Sequence, residues 1–312
     1  MMNTIPTTFN NTSAYTVVGG LERRNSSGIS VVVLNRGTPY NRTALFEELN
    51  ELGFDFIISF VGSRGRYDID GLSSSFPSVK FIITKEELSK GEELNIAAQE
   101  LSGSHFLVIW NDMRILKGSA ESIEKNQRLC LVPVILNGKF ESLPTLVAPL
   151  IIKGQVKTQH FVYEKEAQPS LFPFDGIGLY DKESFLRLGG FDKSLENFYW
   201  QLMDFGFRAH LWGEEIKASN TIKIFYEGSV TPGDISCADC FRRFYLKNLA
   251  PVFRGDHANL PLRRFSGFLF RSKTGLFSSW DEFCKARKWV KTNQYRFRCD
   301  ARTIAELWEA SV

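Results

Sequence analysis

Four short apolar runs, each followed by a stretch with helical periodicity or a polar loop, constrain the fold of this chain more than any other feature. They are Ser30–Leu34, Phe56–Phe60, Val79–Ile83 and Phe106–Trp110. Each is apolar almost throughout rather than alternating, the pattern of a strand covered on both faces, as in a parallel sheet. Between the first two, Leu45, Leu49 and Leu52 share one helix face, with Asn41 placed to cap the helix and Gly53 to end it. Leu94, Ala97, Ala98 and Leu101 mark the apolar face of another helix over 91–101. This alternation predicts an α/β fold: a mostly parallel sheet, right-handed crossovers and flanking helices. Ligands of such sheets sit outside the carboxyl ends of the strands. The candidate site is therefore built from the loops at 35–38, 61–66 and 111–114.

The second half is more mixed. Leu131–Leu136 and Ile222–Tyr226 read as strands. Asp181 caps a helix that runs to Leu188 and stops at Gly189-Gly190, and a second helix, Phe198–Trp212, ends at Gly213. The 312 residues suffice for one large α/β domain. The expected division is a frayed, polar segment over 1–27, a main domain over 28–254 and a basic, aromatic-rich helical extension over 255–312.

Residues 262–298 carry ten Lys or Arg against Asp281 and Glu282, with Phe, Trp and Tyr interleaved. Ser279 and Glu282 have the spacing of a capping box for a helix there. Two readings stand: aromatics packed on the main domain with solvated basic edges, or peripheral contact with an anionic membrane surface. The formal charge of +3 is too small to argue for nucleic acid, which is not expected as a partner. No apolar run reaches the length of a membrane span, and the first 27 residues lack the apolar stretch of a signal peptide, so a cytoplasmic location is expected, peripheral to the inner face of the membrane if the tail binds lipid. The five cysteines read as reduced thiols, with Cys237 and Cys240 on a helix face. His105, His160, His210 and His257 show no metal or triad spacing and read as structural or surface residues.

Three segments, in order, resemble bacterial family-2 glycosyltransferases of the type-A fold. They are the first strand and helix with 57–63 (Ile-Ile-Ser-Phe-Val-Gly-Ser), then 91–98 leading to 106–112 (Phe-Leu-Val-Ile-Trp-Asn-Asp), and then 185–192 (Phe-Leu-Arg-Leu-Gly-Gly-Phe-Asp) followed by Asp204 and Arg208. The resemblance spans about 28–230 and implies transfer of a sugar from a nucleoside-diphosphate sugar to an acceptor hydroxyl, with inversion. The acceptor would be a glycan, a lipid-linked molecule or a protein. It further implies Mg²⁺ or Mn²⁺ held after the fourth strand, which places Asp112 as metal ligand, and a carboxylate base on the later helix. Asn35, Arg36, Gly62, Ser63, Arg64, Gly91 and Asn111 would bind the nucleotide sugar, and Asp175, Gly176 and Asp192 would lie on the acceptor side.

The chain departs from the family pattern at acidic positions. Phe60 and Val61 stand where the family grips the nucleoside, Trp110 replaces the first acid of the metal pair, and Gln201 and Leu202 replace the Glu-Asp pair that supplies the base. Asp204, with Glu196 as the alternative, is the expected substitute base, although Arg208 at i+4 of Asp204 also allows a purely structural ion pair. These losses keep a second reading open, a catalytically inactive binding or scaffolding module.

Overall fold

The computed structural model describes residues 14–21, 27–36, 42–62, 68–118, 120–123, 128–152, 155–228, 233–272 and 275–309. The strands are β1 (Tyr15–Gly19), β2 (Ile29–Leu34), β3 (Ile57–Val61), β4 (Val79–Thr84), β5 (His105–Trp110), β6 (Met113–Lys117), β7 (Cys130–Leu136), β8 (Leu146–Ile152), β9 (Gln155–Phe161), β10 (Gly178–Asp181), β11 (Ile216–Tyr226), β12 (Val252–Arg254) and β13 (His257–Asn259). The helices are α1 (Arg42–Glu51), α2 (Ile69–Ser75), α3 (Lys90–Glu100), α4 (Lys182–Leu188), α5 (Phe198–Leu211), α6 (Ala238–Phe244), α7 (Arg264–Ser272), α8 (Leu276–Asn293) and α9 (Ala301–Glu309).

Nine strands form one sheet in the order β1-β4-β3-β2-β5-β10-β7-β11-β6. β4, β3, β2 and β5 are parallel, as the apolar runs predicted. Every residue of β2 and β5 is buried, so their near-continuous apolar sequence reflects cover on both faces. β10 is antiparallel to both β5 and β7, which makes the sheet mixed. β8 and β9 form a separate hairpin.

The chain order reverses beside β2. It steps outward to β3 and β4, then returns to place β5 on the other side of β2. That reversal is a topological switch point, where the flanking loops diverge and leave a crevice at the carboxyl ends.

Local signals explain the helices around it. Ser89 and Glu92 form a capping box that starts α3, and Asn197 accepts from the Trp200 amide at the start of α5. Asp181 caps α4, and Gly189 and Gly190 end it with φ of 92° and 58°, values that favour glycine. The Asn95 side chain then holds Phe191 by two bonds, donating to its carbonyl (2.9 Å) and accepting from its amide (2.8 Å).

Several sequence expectations are corrected. Residues 15–19, expected to fray, form an edge strand paired antiparallel with β4. Ser279 does not cap a helix: it lies inside α8, buried, with its hydroxyl 3.0 Å from that of Ser272, and Gly275 holds the cap position. Cys237 and Cys240 are joined by a disulfide at the start of α6 rather than being free thiols. Asn41, the expected cap of α1, lies outside the described residues.

The C-terminal helices pack against α5 and the residue that ends it. Trp289 of α8 stacks on Trp212 at 6.0 Å, and Trp308 of α9 meets His210 of α5 edge-to-face at 4.8 Å. His210 also bonds the Ser170 carbonyl at 3.0 Å, and burial pushes its pKa down from 6.5 to about 4. An unfolded chain takes up this proton near pH 6.5 while the folded one does not until about pH 4, so stability falls as pH drops through that window. The loss should approach roughly 3 kcal/mol at the acid end. Urea titrations at stepped pH should show this slope in the native chain and its absence in His210→Gln.

Candidate functional site

The crevice is closed at its base by side chains that tie the strand ends together. Asn35, after β2, donates to the Phe60 carbonyl of β3 at 2.9 Å. Asn111, after β5, accepts from the Arg36 amide (3.0 Å) and donates to the Arg36 carbonyl (3.2 Å), while its own amide bonds the Leu34 carbonyl (2.9 Å). This brings Asn35, Arg36 and Asn111 to the switch point, together with the exposed Gly62 at the end of β3.

The Arg36 side chain organises the centre of the crevice. Its Nε donates to Asp112 Oδ2 at 2.7 Å and its Nη1 to Asp175 Oδ2 at 2.8 Å. The guanidinium lies between two rings, 4.7 Å from the Trp110 centroid and 4.8 Å from that of Tyr226. Burial works against its charge, but the two carboxylates outweigh burial and its pKa is raised. For Asp175 burial is the larger effect and raises its pKa, with Arg36 pulling the other way. Two polar atoms here, Asn35 Oδ1 and Arg36 Nη2, are buried and have no hydrogen-bond partner among the described residues.

A cavity of about 340 Å³ opens beside this cluster and shares Asp175 with it. Phe174, His160, Phe198, Tyr199 and Leu202 also line it. Asp175 stands in a short 3₁₀ turn, Phe174–Gly176, at φ 49°, and Trp110 Nε1 bonds its carbonyl at 3.0 Å. Gly176 is buried behind it, its carbonyl accepting from the Tyr180 hydroxyl at 2.8 Å. Leu202, at the family's base position, gives the cavity an apolar wall where a carboxylate was expected. His160 and Tyr226 were missed as site residues. No spacing in the sequence pairs His160 with Asp175, because the β8–β9 hairpin carries it there.

Three predicted residues lie elsewhere. Asp204 is completely buried: Arg208 and Lys247 pair with it, each at 2.8 Å, and Asn248 donates to it at 2.8 Å. A base must reach its acceptor, so this burial assigns Asp204 to the core rather than to chemistry. Asp192, placed on the acceptor side, is equally buried and pairs with Lys247 (2.7 Å) and Arg243 (3.1 Å). Gly91 faces α5, where its amide donates to Gln201 Oε1 at 3.0 Å. A Cβ there would stand 2.5 Å from that oxygen and 2.7 Å from Phe191 Cβ, so glycine is needed for close helix packing rather than for a ligand. Ser63 and Arg64 lie outside the described residues.

The donor set does not fit a divalent cation. The carboxylates of Asp112 and Asp175 each give an oxygen to Arg36, both ends of the Asn111 amide are bonded, and the neighbouring acidic position is Trp110. Among the described residues no cluster of three or more His, Cys, Asp or Glu is placed to hold a metal. Asp112, the expected metal ligand, pairs with Arg36 through Oδ2 at 2.7 Å.

A large mixed sheet of mostly parallel strands with a switch point and flanking helices is the arrangement of the glycosyltransferase type-A fold, and this chain has that fold. No protein-family model and no curated protein sequence matches the chain. Among solved structures, GalNAc-T7, crystallised with UDP, GalNAc and Mn²⁺, superposes with a TM-score of 0.61 at 12% identity. The match covers 91% of this chain and 57% of that one, so the chain spans little more than half of its relative's length. S. aureus TarS 1–349 matches at TM-score 0.47 and 14% identity over 91% and 92% of the two chains. The mannosyltransferase PcManGT from Pyrobaculum calidifontis, with GDP-Man and Mn²⁺, matches at 0.41 and 10% identity over 86% and 71%. The first of these carries the likeness in fold.

Proposed function

We propose that the crevice binds a nucleoside-diphosphate sugar and that the chain transfers the sugar, with inversion, to an acceptor hydroxyl seated in the neighbouring cavity. The observation that supports this most is the meeting of the two spaces at Asp175, which touches Arg36 on one side and lines the cavity on the other. The likeness in fold to GalNAc-T7, a protein solved with UDP and a sugar, supports the same reading. Asn35, Arg36, Gly62 and Asn111 border the nucleotide side, and the loop bearing Ser63 and Arg64 follows Gly62 in the chain. Asp175 would take the acceptor proton, since burial raises its basicity and one of its carboxylate oxygens is outside the Arg36 contact. Isothermal titration with UDP, GDP, CDP and dTDP tests the reading: saturable one-to-one binding of one of them is expected, and no binding of any would remove it.

The second reading, an inactive binding module, is favoured by one specific observation. Leu202 and the fully buried Asp204 leave the later helix without a carboxylate facing the cavity. Nucleotide binding with no transfer to any glycan, lipid-linked or protein acceptor would select it.

The C-terminal extension supports a membrane-surface partner. Phe270 and Phe277, 87% and 89% exposed, stand where α7 meets α8, with Leu276 and Trp280 exposed beside them and Arg263 and Arg264 exposed at the start of α7. Anionic lipid would take both the aromatic and the basic groups. The protein should sediment with phosphatidylglycerol vesicles and much less with phosphatidylcholine ones. The double variant Phe270→Ser/Phe277→Ser should weaken this by about tenfold or more. Equal sedimentation of both proteins would remove the membrane assignment. Among the described residues no helix is long and apolar enough to cross a membrane.

A further inference from the structure

We infer that Arg36 stands in for the divalent cation of this fold, so that the crevice binds a nucleoside diphosphate without metal. The inference rests on the nucleotide-sugar reading above and deepens it. A diphosphate needs a fixed positive charge where its oxygens arrive. The carboxylates that the crevice offers among the described residues, Asp112 and Asp175, hold a guanidinium at 2.7 and 2.8 Å.

Three further features make this a built position rather than a chance surface pair. The Arg36 backbone is pinned at both its amide and its carbonyl by Asn111, so the side chain starts from a fixed point at the switch point. The guanidinium carbon lies over the Trp110 and Tyr226 rings, 4.7 and 4.8 Å from their centroids, and Trp110 stands where the resembled family carries the first acid of its metal pair. Nη2 is buried and has no partner among the described residues, although a guanidinium carries five hydrogens suited to forked oxygen acceptors. A phosphate oxygen entering the crevice would satisfy it. The trade has an electrostatic consequence. The single charge of the guanidinium is set against two carboxylates, which Mg²⁺ or Mn²⁺ would neutralise fully, so nucleotide affinity is expected to be modest, while staying indifferent to chelators.

The test is isothermal titration of the full chain with UDP and with GDP, each in EDTA and each in Mn²⁺, beside the variant Arg36→Gln. For whichever nucleotide binds, the dissociation constants in EDTA and in Mn²⁺ should agree within about twofold. Arg36→Gln should weaken binding by about tenfold to a hundredfold in EDTA, the loss expected for charge-assisted hydrogen bonds. Binding by the unmodified chain that requires Mn²⁺ would overturn the inference while leaving the nucleotide-sugar reading in place, and this arm needs no variant to fold. Undiminished binding by a folded Arg36→Gln would also overturn it. No binding of either nucleotide in either condition would count against the nucleotide-sugar reading itself and take this inference with it.

Discussion

Replacing Lys247 by Met should lower the free energy of unfolding by about 3–5 kcal/mol. Lys247 is buried in the π-helical turn over 245–249, and its ammonium bridges Asp192 (2.7 Å) and Asp204 (2.8 Å). Methionine fills similar space but leaves two buried carboxylates facing each other with only Arg243 and Arg208 to offset them. The same network joins α4 to α5, because Arg208 also donates to the Leu188 and Gly190 carbonyls, each at 2.7 Å. Burial alone would raise the carboxylate pKa values, but the neighbouring cations overcome it and hold both low. A depressed carboxylate contributes stability above its unfolded pKa of about 4 and loses it as the pH falls through the lower folded value. Acid unfolding of the native chain should therefore set in below about pH 4 at these groups, and at higher pH in the variant. Urea denaturation measures the difference, with Arg302→Ala as the contrast. Its pair with Glu306 is exposed and should matter by less than about 0.5 kcal/mol. A loss below about 1 kcal/mol for Lys247→Met would show that the buried network does not hold the helices together.

The second large effect falls on chemistry. Asp175→Asn should reduce the rate of sugar transfer by about a hundredfold to ten-thousandfold, the usual range for loss of a general base. Asparagine keeps the side-chain shape and one acceptor for Arg36 Nη1, so nucleotide affinity should change only a few-fold. The variant should also lose the acidic limb of the pH–rate profile, where activity falls as the base is protonated, rather than shift its substrate affinity, which separates a proton-transfer role from a positioning one. A transfer rate within about threefold of the native value would move the base elsewhere in the cavity, with His160 the next group on its wall.

The central strands were legible because burial on both faces leaves a continuous apolar record in β2, β3, β4 and β5. β10 left no such record. It is four residues long, and what places it between β5 and β7 is pairing with segments far away in the chain. β1 lies at the sheet edge with exposed residues among a polar stretch, so its sequence resembles a tail. The site shows the same divide. Asn35, Arg36, Asn111, Asp112 and Asp175 could each be singled out by position at a strand end or in a motif. That one guanidinium joins Asp112 to Asp175 could not, because those contacts span 76 and 139 residues. Asp204 was misread for a related reason. Its Arg208 partner at i+4 was visible, whereas Lys247 and Asn248 arrive from a later turn and convert a candidate base into part of a sealed network. Trp110 and Leu202 were recognised as departures from the acidic pattern, and the structure gives the first a positive use as a platform for Arg36.

The central claim is that a nucleoside diphosphate sits at the β2–β5 switch point, and hydrogen–deuterium exchange with and without the nucleotide that binds tests it most directly. Protection should rise in peptides covering 33–36 and 109–114, where Asn111 ties the two strand ends together, and should stay unchanged around α8. Protection confined to α8, or to any surface away from the carboxyl ends of β2 and β5, would contradict the account.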